Sequence, residues 1–83
     1  MGQLAGAVKA YRAAERAVER AEAAAAERVK AARQERARAR QTLAEAIVEA
    51  RRAGVRPIEL QAQTGYSRER IRTILRAGGV EPD

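Results

Sequence analysis

The sequence predicts an all-α protein, a long N-terminal helix followed by a C-terminal helix-turn-helix. Three observations predict it. From Ala7 to Ala53 there is neither Gly nor Pro, and the stretch is dominated by Ala, Arg and Glu, all strong helix formers. Large apolar residues recur at spacings of three and four, as in Leu43/Ile47 and Ile71/Ile74/Leu75, and no alternation supports a strand. Gly54, Gly65 and the pair Gly78-Gly79 then punctuate the chain, as helix stops do.

The first element is the long one. A single helix over the 47 Gly-free and Pro-free residues would reach ~70 Å at 1.5 Å per residue. A seven-residue column runs Leu4, Tyr11, Val18, Ala25, Ala32, Ala39, Ala46. Three positions later the companion column reads Ala7, Ala14, Ala21, then Arg28, Glu35, Thr42. This seam is apolar to about Ala25 and polar beyond it. Residues 4–29 are therefore expected to associate with a second copy, with Leu4, Val8, Tyr11 and Val18 as the dimerisation residues. A lone Ala-rich helix with so little to bury is only marginally stable. Thr42-Leu43-Ala44-Glu45 fits a capping box and permits a break there. Good helix formers on both sides favour a continuous or gently bent helix. The expected organisation is an association helix over 1–41, basic from 28, a helix-turn-helix unit over 42–79, and a tail over 80–83.

Past Thr42 the large apolar residues crowd together: Leu43, Ile47, Val48, Val55, Ile58, Leu60, Tyr66, Ile71, Ile74 and Leu75. The compact core is expected there. Gly54 stops the long helix and Pro57 opens the next. Gly65 supplies the positive φ of a short inter-helix turn. Tyr66 plugs the angle between the two helices. Ser67 is the N-cap of the last helix, and Glu69 in its first turn suits the helix dipole. Gly78 or Gly79 ends it.

Composition excludes much chemistry. The 83 residues suffice for one small domain. Leu, Ile and Val contribute 14 residues against 21 Ala, so a core built here is thin and gains from a partner. With no Cys and no His there is no disulfide, no thiol nucleophile and no zinc site of the usual kind. Ser67 is the sole Ser and the terminal Asp83 the sole Asp, so a Ser-His-Asp triad is impossible within one chain. No enzyme activity, catalytic residue, cofactor, metal or small-molecule ligand is expected. No apolar run approaches the ~18 residues of a membrane span. The N-terminus lacks a secretory apolar region, and a cytoplasmic protein is expected.

The net charge of +6 is unevenly spread. Residues 1–27 balance, with Lys9, Arg12, Arg16 and Arg20 against Glu15, Glu19, Glu22 and Glu27. Residues 28–41 carry Arg28, Lys30, Arg33, Arg36, Arg38 and Arg40 against Glu35 alone, net +5. Residues 57–83 balance again. Such a block beside a compact unit points to an anionic partner held by its phosphates.

On the last helix, at 100° per residue, Ile71, Ile74 and Leu75 define the buried side. Glu69, Arg72, Thr73 and Arg76 lie roughly opposite, with Arg68 and Arg70 flanking. This is the arrangement of a helix laid into a DNA major groove, apolar side inward and long hydrogen-bonding side chains outward. Glu69 is the sole acid among four Arg on that helix, too few opposed charges for a merely salt-bridged surface.

The run Thr64-Gly65-Tyr66-Ser67-Arg68-Glu69-Arg70-Ile71-Arg72-Thr73-Ile74 resembles the helix-turn-helix of bacterial sigma-factor region 4. The resemblance covers about residues 43–77. The layout of one long helix followed by this unit is similar to the small nucleoid-associated proteins of actinobacteria, the GATC-binding kind in particular. One departure is Gln61, four positions before the turn Gly, where such motifs usually carry Ala; Ala62 is its neighbour. Gln61 either shifts the helix packing or lies partly exposed.

The resemblance implies base contacts from Glu69, Arg72 and Thr73, to which Arg76 is added by its place on the helix. Ser67, Arg68 and Arg70 are expected on phosphates, with Arg33, Arg36, Arg38, Arg40 and Arg56 as further backbone contacts. The expected function is a dimeric, sequence-preferring DNA-binding protein of the nucleoid, a chromatin organiser or global transcription regulator reading a short, GATC-like motif. Its partners are double-stranded DNA and a second copy of itself, and no membrane. The alternative is a coiled-coil adaptor, for RNA polymerase for instance, that does not read DNA directly.

Overall fold

The computed structural model describes residues 2–82; Asp83, the end of the expected tail, lies outside the described residues. Among these there are three helices and no strand: α1 (Gly2–Arg52), α2 (Pro57–Thr64) and α3 (Arg68–Ala77). The all-α expectation, a long helix followed by two short ones, holds.

α1 passes through Thr42 without a break. Good helix formers on both sides carry it through, and the Glu45 carboxylate accepts from the Gln41 side chain at 3.2 Å, one turn away on the same helix. The residues group into two compact units, 1–35 and 36–83. The first is a stretch of α1 alone. Among its described residues all are exposed except half-buried Ala25, and Leu4, Tyr11 and Val18 stand 74%, 66% and 56% in solvent.

The second unit holds the core. Ile47 from α1, Leu60 from α2, and Ile71 and Leu75 from α3 are buried together. Val48, Ala50, Val55, Tyr66, Ile74 and Val80 pack around them. Two of the residues expected in the core lie nearer the surface: Leu43 is at its margin and Ile58 is 61% exposed. Ile58 follows Pro57 in the first turn of α2, and Leu60, two residues on, takes the inward side. Beyond α3, Val80 packs on the core and Pro82 is buried, so the C-terminal segment joins the unit.

Backbone chemistry closes each helix. At the end of α1, Gly54 has φ 102°. Its N–H bonds to Arg51 O, and the Val55 N–H bonds to Ala50 O. That pair of bonds is a Schellman motif, with Val55 as its apolar contact. The same device ends α3: Gly79 at φ 75° donates to Arg76 O, and Val80 donates to Leu75 O. Gly78 has a different duty. Its φ is −85°, ordinary for any residue, but a Cβ there would sit 2.5 Å from Val48 Cγ2. The two glycines thus divide the work: Gly79 turns the chain, and Gly78 lets α3 approach α1. Arg52 fastens the same approach by donating to Gly78 O at 3.2 Å.

Gly78→Ala is expected to destabilise the protein by about 1–3 kcal/mol, the usual cost of overpacking. Thermal melts should show a lower Tm. Val48→Ala should restore part of the loss in the double variant, because it removes the two Cγ atoms that the new methyl meets most closely.

Candidate nucleic-acid interface

α2 and α3 are joined by three residues, Gly65, Tyr66 and Ser67. That is the length of a helix-turn-helix turn. Gly65 takes φ 74° and donates to Gln61 O, which closes α2. The Thr64 hydroxyl works from both sides of the turn: it donates to Leu60 O at 2.7 Å and accepts from the Tyr66 N–H at 3.1 Å. This role of Thr64 was not assigned from the sequence. A Thr before a turn Gly is the signal that points to it, since its hydroxyl can bond to nearby backbone groups. Tyr66 is half-buried against the core as expected. Gln61 is half-buried, the second of the two outcomes anticipated for the missing Ala.

Ser67 caps α3. Its backbone is extended and its Oγ accepts from the Arg70 N–H at 3.1 Å. The hydroxyl proton remains available on an exposed residue. With α3 anchored inward by Ile71 and Leu75, and by Ile74 in part, the rest of its surface is set.

The four expected base-reading residues do not fare alike. Glu69 and Arg76 stand exposed, on the side of α3 away from the core. Arg72 is half-buried, with its Nε sealed from solvent. It lies about 100° from Ile71 around the helix, on the flank rather than opposite the core. Thr73 is exposed, yet it faces the other flank. It lines a cleft with Ile74, Ala77 and Gly78 of α3's end and with Gln41, Ala44, Glu45, Val48, Glu49 and Arg52 of α1. Two carboxylates therefore border the approach to Thr73.

The flanking cations are arranged around α2 and the turn. Arg68 and Arg56 line one shallow concavity with Pro57, Ile58 and Gln61. Arg56 also lies 4.0 Å from Glu59 across an exposed pair, a contact of little energetic weight. The Arg70 guanidinium sits over the Tyr66 ring at 4.2 Å from its centroid. Stacking restrains it while its donors stay at the exposed surface.

The basic block of α1 divides. Arg33 belongs to the first unit; Arg36, Arg38 and Arg40 belong to the second. All four are exposed. Within the second unit, Ile47 marks the side of α1 turned to the core. Arg36 and Arg40 fall within about 20° of that side by helical geometry, and Arg38 falls on the opposite one. Two cations are thus placed on the face that carries α2 and α3, one or more turns before them.

Arg51 and Arg52, near the end of α1, act on the fold. Arg51 is half-buried, with its Nε out of solvent. Arg52 ties α1 to Gly78 and lies 3.9 Å from Glu49. Among the described residues no group of His, Cys, Asp and Glu is placed to hold a metal ion. No helix there is long and apolar enough to cross a membrane. No protein-family profile, curated protein or solved structure matches this chain.

Proposed function

We propose that the chain is a small homodimeric DNA-binding protein of the nucleoid, a chromatin organiser or global regulator, that reads a short motif in the major groove with α3. The observation that carries this reading is α3 itself. It is capped by Ser67, anchored by Ile71 and Leu75, and turns Glu69 and Arg76 outward among flanking arginines. A rigid helix with exposed bidentate donors and one acceptor meets the requirements of base-edge recognition: Arg for guanine O6/N7, Glu for cytosine N4. Arg72 extends from the flank, and Thr73 contacts the edge of the site.

The surrounding cations hold the duplex by its phosphates: Ser67, Arg68 and Arg70 at the start of α3, Arg56 before α2, and Arg33, Arg36, Arg38 and Arg40 on α1. Arg36 and Arg40 lead this last group because of the face they occupy. One recognition helix makes few base contacts, each worth ~1–3 kcal/mol. A short, GATC-like site with many genomic copies suits such a reader better than a single operator does. The N-terminal stretch of α1, with Leu4, Val8, Tyr11 and Val18 exposed, pairs two copies.

Binding selection from a random duplex pool tests the reading at once by returning the motif. Absence of any duplex binding at moderate salt would sink it in favour of a coiled-coil adaptor. Arg76→Ala and Arg72→Ala are each expected to cost about 1–3 kcal/mol on the preferred site and to relax base preference; a uniform loss on all sequences would make them phosphate contacts. Replacing Arg33, Arg36, Arg38 and Arg40 together by Gln should flatten the salt dependence of binding, each lost phosphate contact removing roughly 0.9 from the log–log slope. Base preference should hold, and an unchanged slope would take these residues out of the interface. Removing residues 1–27 should give monomers by light scattering and weaker DNA binding.

A further inference from the structure

We infer that the N-terminal stretch of α1 pairs with its copy in antiparallel orientation, in one register: Leu4 against the partner's Ala21, Tyr11 against the partner's Ala14, and Val18 against the partner's Ala7. The inference rests on the dimer reading above and adds direction and register to it.

Two columns lie side by side on this face of α1. One is large, Leu4, Tyr11 and Val18; the other is small, Ala7, Ala14 and Ala21. All six residues are exposed. In a parallel pair each column meets itself. Leu, Tyr and Val layers would then alternate with Ala–Ala layers. The large layers hold the helices apart, and the Ala layers between them are left as gaps. Close packing tolerates such voids poorly, at ~1 kcal/mol for each methyl-sized hole. In an antiparallel pair each large residue meets a small one. Every layer then has the same width, and the helices can stay close along the whole stretch.

The register follows from counting. Sliding one heptad shorter leaves Val18 with no Ala across from it. Sliding one heptad longer sets Leu4 against the partner's Arg28, a guanidinium in an apolar seam. Only the stated register covers all three large residues with all three alanines.

Charge agrees with this register. By two-fold symmetry, contacts are reciprocal. The dyad falls between Arg12 and Ala13. Arg12 comes beside the partner's Glu15, within about two residues of rise, and Glu15 comes beside the partner's Arg12. In a parallel pair Ala10 and Ala17 would face Glu15 and Glu22 across the seam and Arg20 would come beside the partner's Glu22, so charge is compatible with both directions and the packing of large against small residues sets the direction. The two chains leave the paired stretch at opposite ends.

The chain has no Cys, so introduced thiols report without background. Leu4→Cys and Ala21→Cys are made separately in the full chain, refolded as a mixture, oxidised gently, and resolved by mass spectrometry. The expected product is the mixed disulfide, at least several-fold above either self-linked species. A second pair, Val18→Cys with Ala7→Cys, guards against a variant that associates poorly, and should behave alike. Preferential self-linkage of the Leu4→Cys chain would establish parallel pairing and overturn the inference while leaving the dimer intact. A dimeric mass with neither linkage in either pair would overturn the register. A monomeric mass for the unaltered chain in light scattering would remove the dimer itself, and the inference with it.

Discussion

The contact among Ile47, Leu60, Ile71 and Leu75 is the constraint on which the second unit depends. One helix contributes Ile47, the next Leu60, and α3 the remaining two. Because so few large side chains are buried, no layer behind them can absorb a misplaced helix. Removing a buried Leu or Ile typically costs 2–5 kcal/mol, a large fraction of what a small domain has. Precision therefore comes from backbone devices around the core: left-handed Gly54, Gly65 and Gly79, the Ser67 cap, and the Thr64 hydroxyl that bonds on both sides of the turn. These fix where α3 begins and how it is rolled. The roll decides that Glu69 and Arg76 face outward while Arg72 is half-sheltered.

Much of this was legible in the residues. Helix order, the Gly65 turn, the Ser67 cap and the buried side of α3 follow from local chemistry, because each is decided within one or two turns of chain. What was less legible depends on contacts distant in sequence. Gly78 could not be assigned a packing role before Val48 was known to lie against it, 30 positions away. Arg52 carries no local signal of its role, and only its bond to Gly78 O places it at the junction of α1 and α3. Thr73 was assigned by helical angle to the outward face. That angle does not reveal that α1 contributes Glu45 and Glu49 to the cleft beside it. Ile58 illustrates the reverse error: a large apolar residue counted with the core, yet placed by the Pro57 start of α2 on the solvent side.

The charge pattern has a corresponding division. The net positive block lies on α1, whereas residues 57–83 are balanced overall. Under the proposed function, backbone holding by the α1 block and base reading by α3 would draw on different residues, in line with the general separation of phosphate and base contacts. Arg36 and Arg40 share the core-facing side of α1, whereas Arg38 lies on the opposite one.

Fifteen of the 17 cationic side chains are Arg, which bears on how such a surface can be controlled. Lysine acetylation erases a positive charge, but here it can act only on Lys9 and Lys30, both on α1. The guanidinium groups beside α3 offer that chemistry nothing to modify. Under the proposed function, occupancy of DNA would then be governed by salt, by protein concentration and by competing polyanions rather than by acetylation.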